Sequence, residues 1–464
     1  MENPNYKPFP APLGLKKLIG PSFIILALGL GSGEVILWPY LSSNYGLGLA
    51  WGALLGITLQ FFINMEIERY ALAKGESVFV GLHRLFKGAS LWFIISTFVG
   101  FGLPGIIAAS AKIFGFVFGI EDFKWLAILF LILIGFILSF GKTVYGLMEQ
   151  LTKIIIFIGV PFLFVLALLL SKGTDWSYLA QGLIGQGEGF WFLPAGISLA
   201  TFLAAFAYSG AGGNLNLTQS IYIKEKGYGM GVHAQKISGF FRHIKKQEEI
   251  KLSGHDFEPH ANNIALFKIW WRDINWEHFL VFWLIGFLSI CFLMVLAYAT
   301  SYGLTGNAQG INFVINEGLM IGYKLWPAVG TLFLAVVSVL LFQTQLGIFD
   351  STSRIVSENV ALMKIGHHSG VINLSKIYFV CVWLLVAFGT ILFLFNIDEP
   401  RSLIVLAAVL NAFSMFIHIG LVNWMNYKTL PQACQPALFR RIIIILAFLF
   451  FGIFSAFTLS QYVF

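Results

Sequence analysis

The chain has 464 residues, of which 58% are hydrophobic and 11% charged, with a mean hydropathy of +0.82. Soluble domains carry about 25% charged residues, so this composition excludes a soluble globular protein and indicates an integral membrane protein. The net charge of +7 follows the sidedness of the loops and gives no ground for a nucleic-acid partner.

Residues 1–17 read as a cytoplasmic tail ending in Lys16 and Lys17. The apolar run that follows is too long for a signal peptide and has no convincing small-residue cleavage site, so it is the first span, near 18–40. Charges and turn residues then divide the chain into further spans near 47–65, 90–118, 124–140, 152–170, 192–223, 278–300, 327–350, 377–396, 402–426 and 442–463. The expected fold is an all-α membrane protein of about eleven transmembrane helices.

Residues 18–170 hold five spans and 195–426 hold five more, with residues 427–464 carrying an eleventh. Five is odd, so the second set inserts with opposite topology to the first, as in a five-plus-five inverted repeat with one helix added. Residues 171–194, with Trp176 and Trp191, read as an extracellular loop, and 224–277 as a cytoplasmic one. With the N-terminus inside, alternation puts 24 of the 29 Lys and Arg on the inner side. That asymmetry orients a multi-pass cell-membrane protein with its C-terminus outside.

Two spans are interrupted at corresponding places, at Gly29-Leu30-Gly31-Ser32-Gly33-Glu34 and at Tyr208-Ser209-Gly210-Ala211-Gly212-Gly213-Asn214. Lipid offers backbone no hydrogen-bond partner, so an unwound segment at membrane depth is expected only where it lines a cavity or holds a solute. Paired breaks in the two halves point to a midplane binding site. Close helix packing through glycine is the other use of such sequences.

Glu34 is the only charge between Leu18 and Met65. Burying it near the bilayer centre costs about 2.5–3.5 kcal/mol on insertion scales, which suits a cation ligand or a proton carrier. A protonated Glu bonded to freed backbone is the structural alternative. Gly31, Ser32 and Gly33 in the first break, and Tyr208, Ser209, Gly210, Ala211, Asn214 and Asn216 in the second, supply only oxygen ligands, a chemically hard set. Asn214, Asn216 and Thr218 also suit interhelical contacts. Gln343 could reach the same site from the eighth span.

Glu66, Glu68 and Arg69 fall at the inner end of the second span, as an interfacial ion-pair cluster or a proton exit. Lys112 lies in the outer part of the third span and can snorkel. Asp350, Arg354 and Glu358 recur every four residues, the spacing of a helical ion-pair ladder. The loop histidines 233, 243, 255 and 260 lack fixed metal-ligand spacing. Cys291, Cys381 and Cys434 lie too far apart in sequence to suggest a disulfide framework or a zinc site. No nucleophile–base pair or HExxH motif points to an enzyme, and no cofactor is implied.

The start Gly20-Pro21-Ser22-Phe23, Tyr145 with Glu149, Asn214-Leu215, and the ending Asn426-Tyr427-Lys428-Thr429-Leu430-Pro431 resemble the natural resistance-associated macrophage protein (Nramp) family of divalent-metal transporters. The resemblance covers most of the chain and implies a LeuT-like fold with proton-coupled metal uptake. The family's Asp-Pro-Gly-Asn falls on Gly31-Ser32-Gly33-Glu34, and its Ala-x-x-Met-Pro-His on Tyr208-Ser209-Gly210-Ala211-Gly212-Gly213, so the soft Met and the His are absent. If the segment is helical, the carboxylate at 34 occupies about the same face as position 31. The expectation is a secondary-active transporter of a divalent cation held at Glu34, with a small organic solute such as an amino acid as the alternative cargo.

Overall fold

Backbone in lipid must satisfy its hydrogen bonds internally, and the chain does so with helices. The structure is a computed structural model and describes residues 6–15, 18, 21–140, 144–234, 252–365 and 373–463. Among the described residues eight helices are long and apolar enough to cross a membrane: Pro21–Tyr45, Leu47–Lys74, Ala89–Phe118, Ala261–Ser301, Pro327–Lys364, Leu374–Leu394, Pro400–Thr429 and Leu438–Thr458. The shorter Phe123–Phe140, the helix Val144–Leu170 and the divided pair Leu199–Ala207 and Thr218–Lys226 complete the expected eleven.

The first span is buried along its whole apolar window, whereas the ninth and eleventh are only 33% and 28% buried. It is therefore the central helix, and the other two lie at the periphery. It packs against the seventh and eighth spans and the first half of the sixth. The second span runs beside the second half of the sixth, and the third span beside the eighth and tenth.

Three sequence expectations need correction. The first break is not unwound: Pro21–Gly29 is α-helical, Leu30–Leu37 is a π-helix, and Trp38–Tyr45 is α-helical again. Gly33 C=O accepts the Trp38 N–H, so the wider turn keeps this carbonyl inside the helix instead of releasing it as a ligand.

The segment 224–277 is not all loop. Lys224 belongs to the sixth-span helix, and Ala261–His278 continues through the π-helix Phe279–Leu284 into Ile285–Ser301 as the seventh span. Residues 236–251, which carry most of the basic run and His243, lie outside the described residues.

Residues 171–194 are ordered as the helix Gly173–Gly182, bent 112° from the fifth span, followed by paired strands Gln186–Gly187 and Phe190–Trp191. The eighth span runs on as Pro327–Ile365, so Asp350, Arg354 and Glu358 lie within it. Only half of the expected ladder forms. Arg354 Nε meets Asp350 at 3.0 Å, but Glu358 turns to Ser77 Oγ at 2.5 Å and Lys224 Nζ at 3.4 Å.

Candidate functional site

The two interrupted spans touch through their glycines. A Cβ on Gly33 would lie 1.6 Å from Tyr208 O, one on Gly29 would lie 2.8 Å from Gly210 Cα, and one on Gly31 would lie 2.2 Å from Thr344 Oγ1. Removing side chains from three positions lets the π-helix sit directly on the sixth-span break and the eighth span. Thr344 Oγ1 donates to Ala27 O at 3.1 Å, and Gln343 is buried beside it.

The second break does leave the helix. Leu199–Ala207 ends at Tyr208, the backbone takes φ values of +70° and +53° at Gly212 and Gly213, and a 3₁₀ turn leads into Thr218–Lys226. Its freed groups are claimed by side chains of other spans. Gln60 Nε2 donates to Ala207 O at 2.9 Å, and Gln60 Oε1 accepts from Gly212 N at 3.3 Å. Trp38 Nε1 donates to Ser209 Oγ at 3.1 Å, and Asn411 Nδ2 donates to Tyr208 OH at 2.9 Å. Asn214 Nδ2 donates to Ser96 Oγ and Thr97 Oγ1, and Asn214 Oδ1 lies 3.4 Å from His418 Nδ1.

Gln60 carries both ends of this backbone repair, so Gln60→Leu is expected to strand the Ala207 carbonyl and the Gly212 N–H. Each buried unsatisfied group costs about 1–3 kcal/mol. Thermal unfolding in detergent should show the loss, and an unchanged midpoint would remove Gln60 from this role.

Glu34 is fully buried, and both of its carboxylate oxygens lack a hydrogen-bond partner. It lies toward Gly286 of the seventh span, whose Cβ position is 3.6 Å from Glu34 Oε1, whereas Gly31 faces Thr344 of the eighth. Positions 31 and 34 therefore do not share a face, as an α-helix would have them do. A π turn takes more residues, so three residues fall further short of a full rotation. Ser32, Ser209, Gly210 and Ala211 are buried around the contact between the breaks.

Other orphaned polar groups lie in these spans: both amide atoms of Asn64, Asn216 and Gln345, and the hydroxyl of Ser289. Among the described residues no group of three or more His, Cys, Asp or Glu is arranged to hold a metal. Any cation at Glu34 would thus have one carboxylate and neutral oxygens. A cavity of about 10 Å³, room for roughly one water, lies beyond Tyr208 and is lined by Phe101, Leu103, Ile106, Ile348, Ile404 and Ala407 among others.

Glu66 and Arg69 are not at an exposed interface. Both are buried, Arg69 Nε meets Glu66 Oε2 at 2.6 Å, and Arg440 Nη1 approaches Glu66 Oε1 at 3.6 Å. Arg69→Ala should therefore cost about 3–5 kcal/mol by leaving a buried carboxylate short of its partner. Glu66→Gln/Arg69→Gln together should cost less than that single change, as read by denaturation midpoints. Lys112 is half-buried next to Gly310 and Glu399, apart from this cluster.

Sequence reasoning missed Gln60, Asn64, Asn411 and His418. Their signal was polarity inside charge-free spans. It also missed Glu277, counted with the loop, and His278, placed at the first position of the seventh span.

No family model and no curated protein sequence matches the chain. Among solved structures it has the fold of the LeuT-like membrane transporters, and the long apolar helices make it a multi-pass membrane protein. The manganese transporter of Eremococcus coleocola superposes with a TM-score of 0.71 at 11% identity, covering 96% of this chain and 87% of that one. Mhp1, of the nucleobase-cation-symport-1 family, gives 0.51 at 14% identity, covering 99% and 96%. MhsT in complex with L-phenylalanine gives 0.50 at 16% identity, covering 95% and 97%.

Proposed function

We propose that the protein is a secondary-active transporter of a hard divalent cation, driven by protons, that works by alternating access around the first and sixth spans. The observation that carries this reading is Glu34, a carboxylate buried at the glycine contact between the two spans with neither oxygen partnered. Such a group calls for a cation or a proton. A magnesium-like ion keeps several waters and needs only one or two carboxylates, which suits a lone Glu. The fold shared with a manganese transporter supports the cargo class, and the lack of a methionine in either break argues for a hard ion.

The second reading is a small organic solute carried on the same fold, as the phenylalanine-bound neighbour illustrates. Proteoliposomes loaded with a fluorescent divalent-cation indicator separate the two. Uptake of Mg²⁺ or Mn²⁺ that grows with an imposed proton gradient supports the first. Sodium-dependent binding of amino acids, without competition by divalent cations, would replace it with the second.

A further inference from the structure

A second buried polar centre lies where the first, second, sixth and seventh spans cross. Ser22 Oγ donates to Glu277 Oε2 at 2.6 Å and lies 2.8 Å from His278 Nδ1. His278 Nδ1 is also 3.2 Å from Glu68 Oε1, which accepts from Gln219 Nε2 at 2.6 Å. The imidazole stacks on Phe61 and Phe282, with centroids 5.6 and 4.7 Å away. All five polar residues are buried.

The hydrogens along this chain can be assigned. With both carboxylates ionised, Ser22 gives its one hydroxyl hydrogen to Glu277, and the hydrogen in the Ser22–His278–Glu68 contact then belongs to His278 Nδ1. Three buried atoms stay open: Glu68 Oε2, Glu277 Oε1 and His278 Nε2.

Among the described residues no Lys or Arg pairs with either carboxylate. Of the charged groups on the adjoining elements, Glu66 pairs with Arg69 and Arg440, Lys224 with Glu358, Glu225 with Arg354, and Arg272 with Asp273. Two unpaired carboxylates close together out of water cannot both stay ionised without a compensating charge. A proton is the smallest species that resolves this, and the open oxygens are where it binds.

We propose that Glu68, Glu277 and His278, bridged by Ser22, bind the coupling proton. This assignment rests on the transporter reading above and adds where its driving ion sits. The site is distinct from Glu34: Ser22 lies twelve residues earlier on the first span, about 18 Å at helical rise.

Glu68, Asn64 and Gln60 follow one another at four-residue spacing on one face of the second span, ending at the sixth-span break. Protonation at Glu68 weakens its hold on His278, and protonation at Glu277 its hold on Ser22, and so loosens the first two spans from the sixth and seventh. That link would tie proton occupancy to the movement of both interrupted spans.

Two measurements on the full-length protein test this. In proteoliposomes, the ratio of proton-gradient-driven Mg²⁺ uptake to Mg²⁺ exchange at equal pH should fall about tenfold in Glu277→Gln and in Glu68→Gln, a typical coupling between sites. Infrared pH titration of the purified protein should show a carboxylic-acid band that is lost or shifted in these variants and is retained in Glu34→Gln. Ser22→Ala keeps both carboxylates and should displace the midpoint of that band, which guards against misfolding of the charge variants.

If the wild type carries neither Mg²⁺ nor Mn²⁺, the divalent-cation reading fails, while the infrared band still decides proton binding. A titrating band untouched by Glu68→Gln, Glu277→Gln and Ser22→Ala overturns the site, as does an unchanged flux ratio.

Discussion

Glu34→Gln is expected to lower divalent-cation affinity by at least about 100-fold, because removing one partner of a buried charge pair costs about 3–5 kcal/mol and each 1.4 kcal/mol is tenfold. Isothermal titration of the purified protein with Mg²⁺ and Mn²⁺ reads this directly. The same substitution should hold or raise thermal stability without the cation, since it removes an orphaned carboxylate rather than a partnered one. Lost affinity with retained stability marks a ligand. Lost stability with retained affinity would make Glu34 a structural residue and sink the assignment.

Gly33→Ala should be the most damaging single methyl in the first span. Its Cβ would meet the Tyr208 carbonyl at 1.6 Å, and backbone on both sides leaves no rotamer to yield. Overpacking costs typically about 1–3 kcal/mol and occasionally more, here by forcing the two interrupted spans apart. Gly29→Ala, at 2.8 Å from Gly210 Cα, should follow it in severity. Gly173→Ala meets nothing within 4 Å and serves as the control, expected within about 0.5 kcal/mol of wild type. Fluorescence-detected size exclusion after graded heating would rank them, and equal midpoints for Gly33→Ala and Gly173→Ala would disprove the contact.

The architecture was legible in the sequence because lipid imposes it. Charge-free runs such as Val35 to Met65 and Ser402 to Tyr427 have few alternatives to spanning helices, and an odd repeat forces inversion. Glycine clustering likewise located both interruptions. Their conformations were not legible, since Gly29 to Glu34 could unwind or widen into a π-helix with the same residues. What decided it was tertiary: the Tyr208 carbonyl and Thr344 press on Gly33 and Gly31, and those partners lie far along the chain.

The same limit hid the direction of Glu34, because α-helical periodicity puts position 34 beside position 31 and a π turn does not. Glu277 and His278 escaped notice for another reason. Arg272, Asp273 and Glu277 interrupt hydrophobicity without interrupting the helix, so the start of the seventh span was set too late. Composition sees where apolar surface begins, whereas this helix starts where His260 caps it, accepting from Asn263 N.

The central claim is that a cation sits on Glu34 where the two interrupted spans meet, and an anomalous-scattering map from crystals soaked in Mn²⁺ tests it most directly. The expected result is a peak within about 2.0–2.6 Å of the Glu34 carboxylate if the ion binds directly, or one water further out if it stays hydrated, and absent in Glu34→Gln crystals. A peak elsewhere in the spans that persists in Glu34→Gln would contradict the account.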